Sequence, residues 1–300
     1  MTFQLWTTDG LREHVFPKPR FLCEPLVPSQ GIVLLHGPSE AGKTQLVLTL
    51  IKALTEGTLF LRQFACSPSR VLLVEIDTPE MIMQERLQRW DISADARQHV
   101  LLLTHTAGAI SVPHLIGAPP EAPLAAAQAF LPDLVIFDAL RNVHQLDEND
   151  SRTTALVYSS AQRLFPDSAL LFVHHDRKRD PQGHRVRDEE AAGTAAWRNA
   201  ANVGLHMERF YDAEQPFSHF ATLGFSKLRV EVKPRPIRLR MDDETLLVYP
   251  TELSPLQHAE AWKAERNDIS TRYIVDRLLE EKLCSRATAY RIAKRLVGDT

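Results

Sequence analysis

Cysteine is scarce in this chain, and a large excess of either charge is absent. The three cysteines among 300 residues, Cys23, Cys66 and Cys284, are odd in number and far apart in sequence. Neither a disulfide framework nor a zinc site is therefore indicated, and a reducing, cytosolic compartment is the expected setting. A formal net charge of -3 speaks against an overall polycationic nucleic-acid binder, while leaving room for local basic patches. No uninterrupted apolar run approaches the ~20 residues of a membrane-spanning helix. The opening MTFQLWTTDG lacks the basic-then-apolar pattern of a secretory signal. Internal repeats and low-complexity tracts are missing too. These absences leave a globular protein expected in the cytoplasm with no membrane partner. Its length suits one large domain plus a small one.

What is present is a regular succession of apolar runs and helix-like segments. GIVLLH (31–36), VLLVEID (71–77), HVLLLTH (99–105), LVIFD (134–138) and ALLFVHH (169–175) read as strands buried on both faces. TQLVLTLIKAL and MIMQERLQRW have helical apolar spacing and read as crossovers, which predicts an α/β fold with a mainly parallel sheet. Residues 1–30, with four prolines, read as a lead-in segment, and 31–250 as the α/β domain. Residues 107–124 and 176–191 are expected to be irregular linkers. After 217 the character changes to β strands or hairpins. A proline-marked boundary near 250–256 precedes a helical tail, 255–300.

The chemistry concentrates first in Gly37-Pro38-Ser39-Glu40-Ala41-Gly42-Lys43-Thr44. Glycines at this spacing, after a strand and opening a helix, let backbone amides close around phosphates at the positive end of the helix. Lys43 would reach the β- and γ-phosphates of ATP, and the Thr44 hydroxyl would ligate Mg²⁺. Asp138 closes a second apolar strand and would hold the Mg²⁺ water shell. Hydrolysis further requires a group that activates water. Glu75 and Asp77 end a third strand, and a period of two places both on one face. His174 and His175 close the fifth strand and point to opposite faces, so one of them can face the phosphates.

The order of GPSEAGKT, VEIDTPE, DLVIFDALRNVHQLDEND, LLFVHHDRKRD, GTAAWRNAANVGLHMER and FSKLRVEV resembles the RepA-type hexameric replicative helicases, ATPases of RecA fold, over about residues 15–250. The resemblance implies a RecA-like P-loop core, a homo-hexamer or other ring with ATP at subunit interfaces, and Mg²⁺. It places the catalytic carboxylate at Asp77, two residues before Pro79, where the family has glutamate; Glu75 stands one step back on the same face. It puts a γ-phosphate sensor at His175 and basic fingers reaching a neighbour's phosphate at Lys227 and Arg229. The arginine that relatives carry before Gly193 is Ala192 here, with Arg198 nearby. The loop facing the channel would be 177–187, where Arg177, Lys178, Arg179, Arg185 and Arg187 could track single-stranded DNA among acidic neighbours.

Residues 271–297 read as two helices with a break at LCS and Ser285 as N-cap. SRATAYRIAKRL resembles the recognition helix of helix-turn-helix proteins, with Leu283 near the place of the usual turn glycine. Arg286 and Arg291 are then candidates to contact duplex DNA, though a protein-contact module of winged-helix type, or a purely structural helical pair, has the same pattern. Three functions fit: a RepA-type DNA helicase or translocase of a plasmid, phage or mobile element, with a primase or initiator as further partner; an ATP-switched DNA-binding initiator or regulator that does not unwind; or a RecA/RadA-like recombination ATPase.

Overall fold

The computed structural model describes residues 4–16, 18–104, 122–144, 146–147, 150–176, 196–210, 220–229, 233–242, 244–251, 255–265, 269–280 and 284–297. Nine strands form one sheet: β1 (Ile32–Gly37), β2 (Val71–Glu75), β3 (Val100–Leu103), β4 (Leu134–Asp138), β5 (Ala169–His175), β6 (Val203–Phe210), β7 (Phe220–Lys227), β8 (Ile237–Met241) and β9 (Val248–Pro250). Their order is β9-β8-β7-β6-β1-β5-β4-β2-β3. The six strands from β6 to β3 run parallel, and β7, β8 and β9 extend the sheet antiparallel from β6.

Alternation along each buried strand builds two cores, one on each face of the sheet. Val33, Leu35, Leu73, Ile136 and Leu171 pack with Leu46, Leu50, Ile51 and Leu54 of helix α1 (Lys43–Glu56). Leu34, Leu72, Val74, Phe137 and Phe172 pack with Val157, Tyr158 and Ala161 of a helix at Ser151–Leu164. Successive side chains of a strand point to opposite faces, so an unbroken apolar run requires cover on both. Each such Leu, Val, Ile or Phe contributes about 1.5–3 kcal/mol of burial. Phe137 and Phe172 stack at 4.8 Å between centroids. Helix α1 starts and stops at glycines: Gly42 (φ 86°) precedes it, and Gly57 (φ 64°) caps its end by donating to the Ala53 carbonyl.

The structure corrects the sequence expectations at several points and adds one strand. HVLLLTH is the sheet's edge, and its strand β3 is only half-buried, because a single neighbour covers it. VGLHMERF, which has the polar alternation of a half-covered strand, is β6, the strand that joins the parallel and antiparallel parts of the sheet. The strand at 71–77 ends at Glu75, so the two-residue period does not extend to Asp77. Finally, two of the three cysteines, Cys23 and Cys66, are far apart only in sequence. Cys23, in a short strand at Phe21–Cys23, bridges to Cys66, and both are free thiols. Burial pushes the Cys23 thiol up, and a hydrogen bond from its partner holds Cys66 down. Of the predicted linkers 107–124 and 176–191, residues 107–121 and 177–191 lie outside the described residues, and 122–124 are not irregular but open a helix at Ala122–Ala129.

The tail forms its own small core. Ala259 and Trp262 from Pro255–Glu265, Ile274, Val275 and Leu278 from Thr271–Glu280, and Ala289 and Ala293 from Arg286–Val297 pack together. Ser285 Oγ accepts from the Thr288 amide at 3.4 Å, the cap expected of it. Arg286 and Arg291 are exposed on the last helix. Leu283 lies outside the described residues.

Candidate active site

Parallel strands bring the carboxyl ends of β1, β2, β4 and β5 to one edge of the sheet, where open α/β folds bind ligands. At the end of β1, Gly37 and Gly42 leave no room for a side chain. A Cβ on Gly37 would lie 2.2 Å from the Met207 carbonyl oxygen, and one on Gly42 would lie 2.2 Å from Met241 Sδ. The phosphate loop is therefore held close to the β6 backbone at Gly37 and to the Met241 side chain of β8 at Gly42. Glu40, between them, adopts a left-handed φ of 63° with its side chain exposed.

Lys43 is buried at the first turn of α1. Its Nζ donates to the carbonyls of Gly37 (2.9 Å) and Pro38 (2.7 Å) and stands 3.1 Å from His175 Nδ1. An ammonium group only donates, so Nδ1 is the acceptor and His175 is the Nε2–H tautomer in this arrangement. Burial, then the Lys43 charge, push the His175 pKa down, in keeping with a neutral ring. Ser39 Oγ lies 3.4 Å from the same nitrogen. His174 points the other way, buried and 5.8 Å from the Trp197 ring between centroids. Among the adjacent histidines it is His175 that faces the loop.

Burial lowers the Lys43 pKa to about 8, with Asp138 and Asp176 pulling the other way. A phosphate beside the ammonium favours its charged form, so nucleotide binding raises that pKa again. Metal-free ATP binding near pH 8.5 is therefore expected to take up protons and to weaken as pH rises through 8. Calorimetry in buffers of different ionisation enthalpy checks this; proton release would contradict it.

On the opposite wall, Thr44 Oγ donates to Asp138 Oδ2 at 2.9 Å. Burial raises the Asp138 pKa, opposed by the Thr44 hydrogen bond and Lys43. Glu75 is its partner in the β2–β4 register and is 2% exposed. Burial and then Asp138 push Glu75 up to about 7, although it accepts from the Thr78 amide at 3.2 and 3.3 Å. Two adjacent buried carboxylates beside a hydroxyl make a hard-oxygen site with an unmet demand for positive charge, and these donors fit Mg²⁺. Asp77 lies beyond the strand, exposed, and accepts from Asn142 Nδ2 at 2.7 Å.

A cleft of about 400 Å³ is lined by Lys43, Thr44, Glu75, Asp77, Asp138 and His175 together. Ser39, Glu40 and Gly42 also line it; Ala41 is buried beneath. Thr78, Arg86 and Leu246 line it as well and were not foreseen. Arg86 Nη1 donates to Thr78 Oγ1 at 3.0 Å. Its signal was weak, one arginine on a helix rich in charge. Leu246 comes from the β8–β9 connection, remote in sequence and without any motif.

Lys227 and Arg229 do not line this cleft. Lys227 Nζ instead donates to the carbonyls of Asn199 (2.5 Å) and Ala201, which close the short helix at Ala196–Ala200 that carries Arg198. Arg229 is exposed. Arg177, Lys178, Arg179, Arg185 and Arg187, with Ala192 and Gly193, lie outside the described residues.

The family described as an AAA domain matches residues 1–181. No curated protein sequence matches the chain. Among solved structures it is similar to a KaiC-like protein from the hyperthermophilic archaeon Pyrococcus horikoshii OT3, at 10% identity and TM-score 0.52, covering 77% of this chain and 94% of that one. It is similar also to the flagellar accessory protein FlaH from Methanocaldococcus jannaschii, at 12% identity and TM-score 0.52, covering 76% and 92%. A third solved structure, an ATPase domain, is 14% identical with TM-score 0.51, covering 75% and 86%. Likeness at this identity establishes fold, and it agrees with the mainly parallel sheet. No helix among the described residues is long and apolar enough to cross a membrane. With the phosphate loop on β1, the acidic end of β4 and a family match over more than half its length, the chain belongs to the AAA-domain family and is a P-loop ATPase of RecA fold.

Proposed function

We propose that this ATPase is a RepA-type DNA motor, a ring whose subunits hydrolyse ATP at their interfaces to translocate on or unwind DNA. The observation that carries the reading is that Lys227 and Arg229 stand outside the cleft of their own chain. A transferring phosphoryl group calls for positive charge around it. Basic residues at and just beyond the end of β7, away from the cis cleft, support a contribution to a neighbour's site. In the single chain Lys227 donates to helix-end carbonyls, contacts it would exchange for a neighbour's phosphate.

Within one site, Lys43 binds the phosphates, and Thr44 and Asp138 hold Mg²⁺. Mg²⁺ held there would supply charge neutralisation to the phosphates. Glu75, poised near neutrality, takes a proton from water, and Asp77 with Asn142 helps to orient it. His175, touching both Lys43 and Ser39, reports the phosphate state to the segment that begins at Asp176. That segment, from 177 onward, is the proposed DNA contact in the channel, and the exposed Arg286 and Arg291 are the second one.

A strand-displacement assay with ATP, run beside particle imaging, tests the motor. Rings that hydrolyse ATP but never separate strands or move on DNA would favour an ATP-switched initiator, and open filaments a recombination ATPase. The trans role has its own test. Lys227→Ala and Arg229→Ala should each lose at least about tenfold in turnover, and mixing either with Lys43→Ala should restore part of it. Mixed assemblies without rescue would place both residues elsewhere.

A further inference from the structure

Just behind the phosphate loop, three neighbouring strands gather side chains that ATP hydrolysis leaves unused. His36 precedes Gly37 on β1, and His206 of β6 is its partner in the parallel register. Register partners share a face, and the two imidazole centroids lie 4.8 Å apart. Asp176, at the end of β5, stands between them. Its Oδ1 is 2.9 Å from His36 Nδ1, and its Oδ2 is 3.3 Å from His206 Nε2. One donor atom from each of the three residues lies within 4.8 Å of the others.

We propose that His36, Asp176 and His206 form a binding site for a divalent ion of the zinc class, distinct from the Mg²⁺ position at Thr44 and Asp138. Donor chemistry separates the two sites. Two imidazole nitrogens and one carboxylate favour a late first-row ion such as Zn²⁺ or Co²⁺, whereas hydroxyl and carboxylate oxygens suit Mg²⁺. Spacing agrees as well. Donors about 2.0–2.2 Å from a tetrahedral zinc stand about 3.4 Å apart; the two carboxylate–imidazole separations here are 2.9 and 3.3 Å and the three donor atoms lie within 4.8 Å of one another, so capture requires side-chain shifts that draw the two imidazoles onto one ion.

Two further features are those of a built site. His36 Nε2 lies 3.3 Å from Ser226 Oγ on β7, the outer hydrogen bond that fixes a ligating ring and its tautomer. Exposure rises from 2% at His36 through 8% at Asp176 to 20% at His206. The His206 side is thus the entry path and the place for a water as fourth ligand. A bound ion would tie β1, β5 and β6 together at the base of the phosphate loop. The Asp176 amide donates to the Gly37 carbonyl at 3.0 Å, the same oxygen that Lys43 engages, so the ion would stiffen the seat of the catalytic lysine.

The test uses the full-length protein, stripped with chelator and kept in excess Mg²⁺. Co²⁺ titration should reach one equivalent with visible d–d absorption, and Zn²⁺ should displace it and raise the melting temperature. His206→Ala and Asp176→Asn should weaken Co²⁺ binding at least about tenfold, whereas Thr44→Ala, which removes a Mg²⁺ ligand, should leave the spectrum intact. Far-UV circular dichroism checks that each variant is folded. Failure of the wild-type protein to hold an equivalent of Co²⁺ at micromolar concentration would overturn the proposal, leaving a hydrogen-bonded His–Asp–His cluster. A spectrum lost in Thr44→Ala but kept in His206→Ala would overturn it equally.

Discussion

Lys43→Ala should reduce ATP turnover by at least about 10²–10³-fold, with the chain still folded. The lysine supplies the charge nearest the loop: buried, it donates to the Gly37 and Pro38 carbonyls and approaches His175. In the free protein those contacts hold the ammonium ready and cost it little solvation when a phosphate arrives. Alanine removes the charge and leaves His175 Nδ1 without its strongest donor. Nucleotide should still bind through the loop amides, more weakly, so a fluorescent nucleotide separates lost binding from lost chemistry. Hydrolysis at the wild-type rate would mean that the phosphates sit elsewhere, and the whole site assignment would fall with it.

Glu75→Gln is expected to cost about 10²–10⁴ in turnover, and Asp77→Asn about tenfold. The resemblance to RepA-type helicases points to Asp77 as the base, and the physical environment points to Glu75. Asp77 is exposed and tied to Asn142, whereas Glu75 is buried beside Asp138 with its pKa raised to about 7. A base works best with a pKa near the operating pH. As the acting base it must lose its proton, so wild-type kcat/KM should rise with pH through about 7, a limb that Glu75→Gln abolishes.

Stability supplies an independent signature of the same group. Its folded pKa lies above its unfolded value, so between pH 4.5 and 7 the folded chain binds more protons and loses stability as pH rises. Relative to wild type, Glu75→Gln should gain up to about 3 kcal/mol in the nucleotide-free protein between pH 5 and pH 8. A Tm difference that is the same at both pH values would show that Glu75 does not carry a buried proton. If Asp77→Asn proves the more damaging substitution, the two roles are exchanged.

Much of this site is local in sequence. The phosphate loop, Thr44 and the acidic end of LVIFD belong to contiguous motifs whose structural context, strand before and helix after, is itself written in adjacent residues. Apolar runs without alternation predicted strands covered on both faces, and the period of two then split those runs into the two cores. Even the choice between His174 and His175 was framed correctly, because neighbours on a strand diverge. Lone polar residues were harder. Nothing around Arg86 or Leu246 marks a cleft wall, and His36 at the end of an apolar run looks like any core histidine.

By itself, then, the sequence determined the parallel α/β core, the nucleotide loop and the place of Asp138 at the end of its strand, since each depends on spacing within one strand or turn. Only the tertiary structure decided what depends on register between strands distant in the chain. Register sets Glu75 against Asp138, and burial of that pair, not residue type, raises the glutamate towards neutrality. Register likewise aligns His36 with His206 and lets Asp176 stand between them, across separations of 140 and 30 residues. The three-dimensional path also keeps Lys227 out of its own cleft. No local pattern encodes these juxtapositions, because they are products of sheet order.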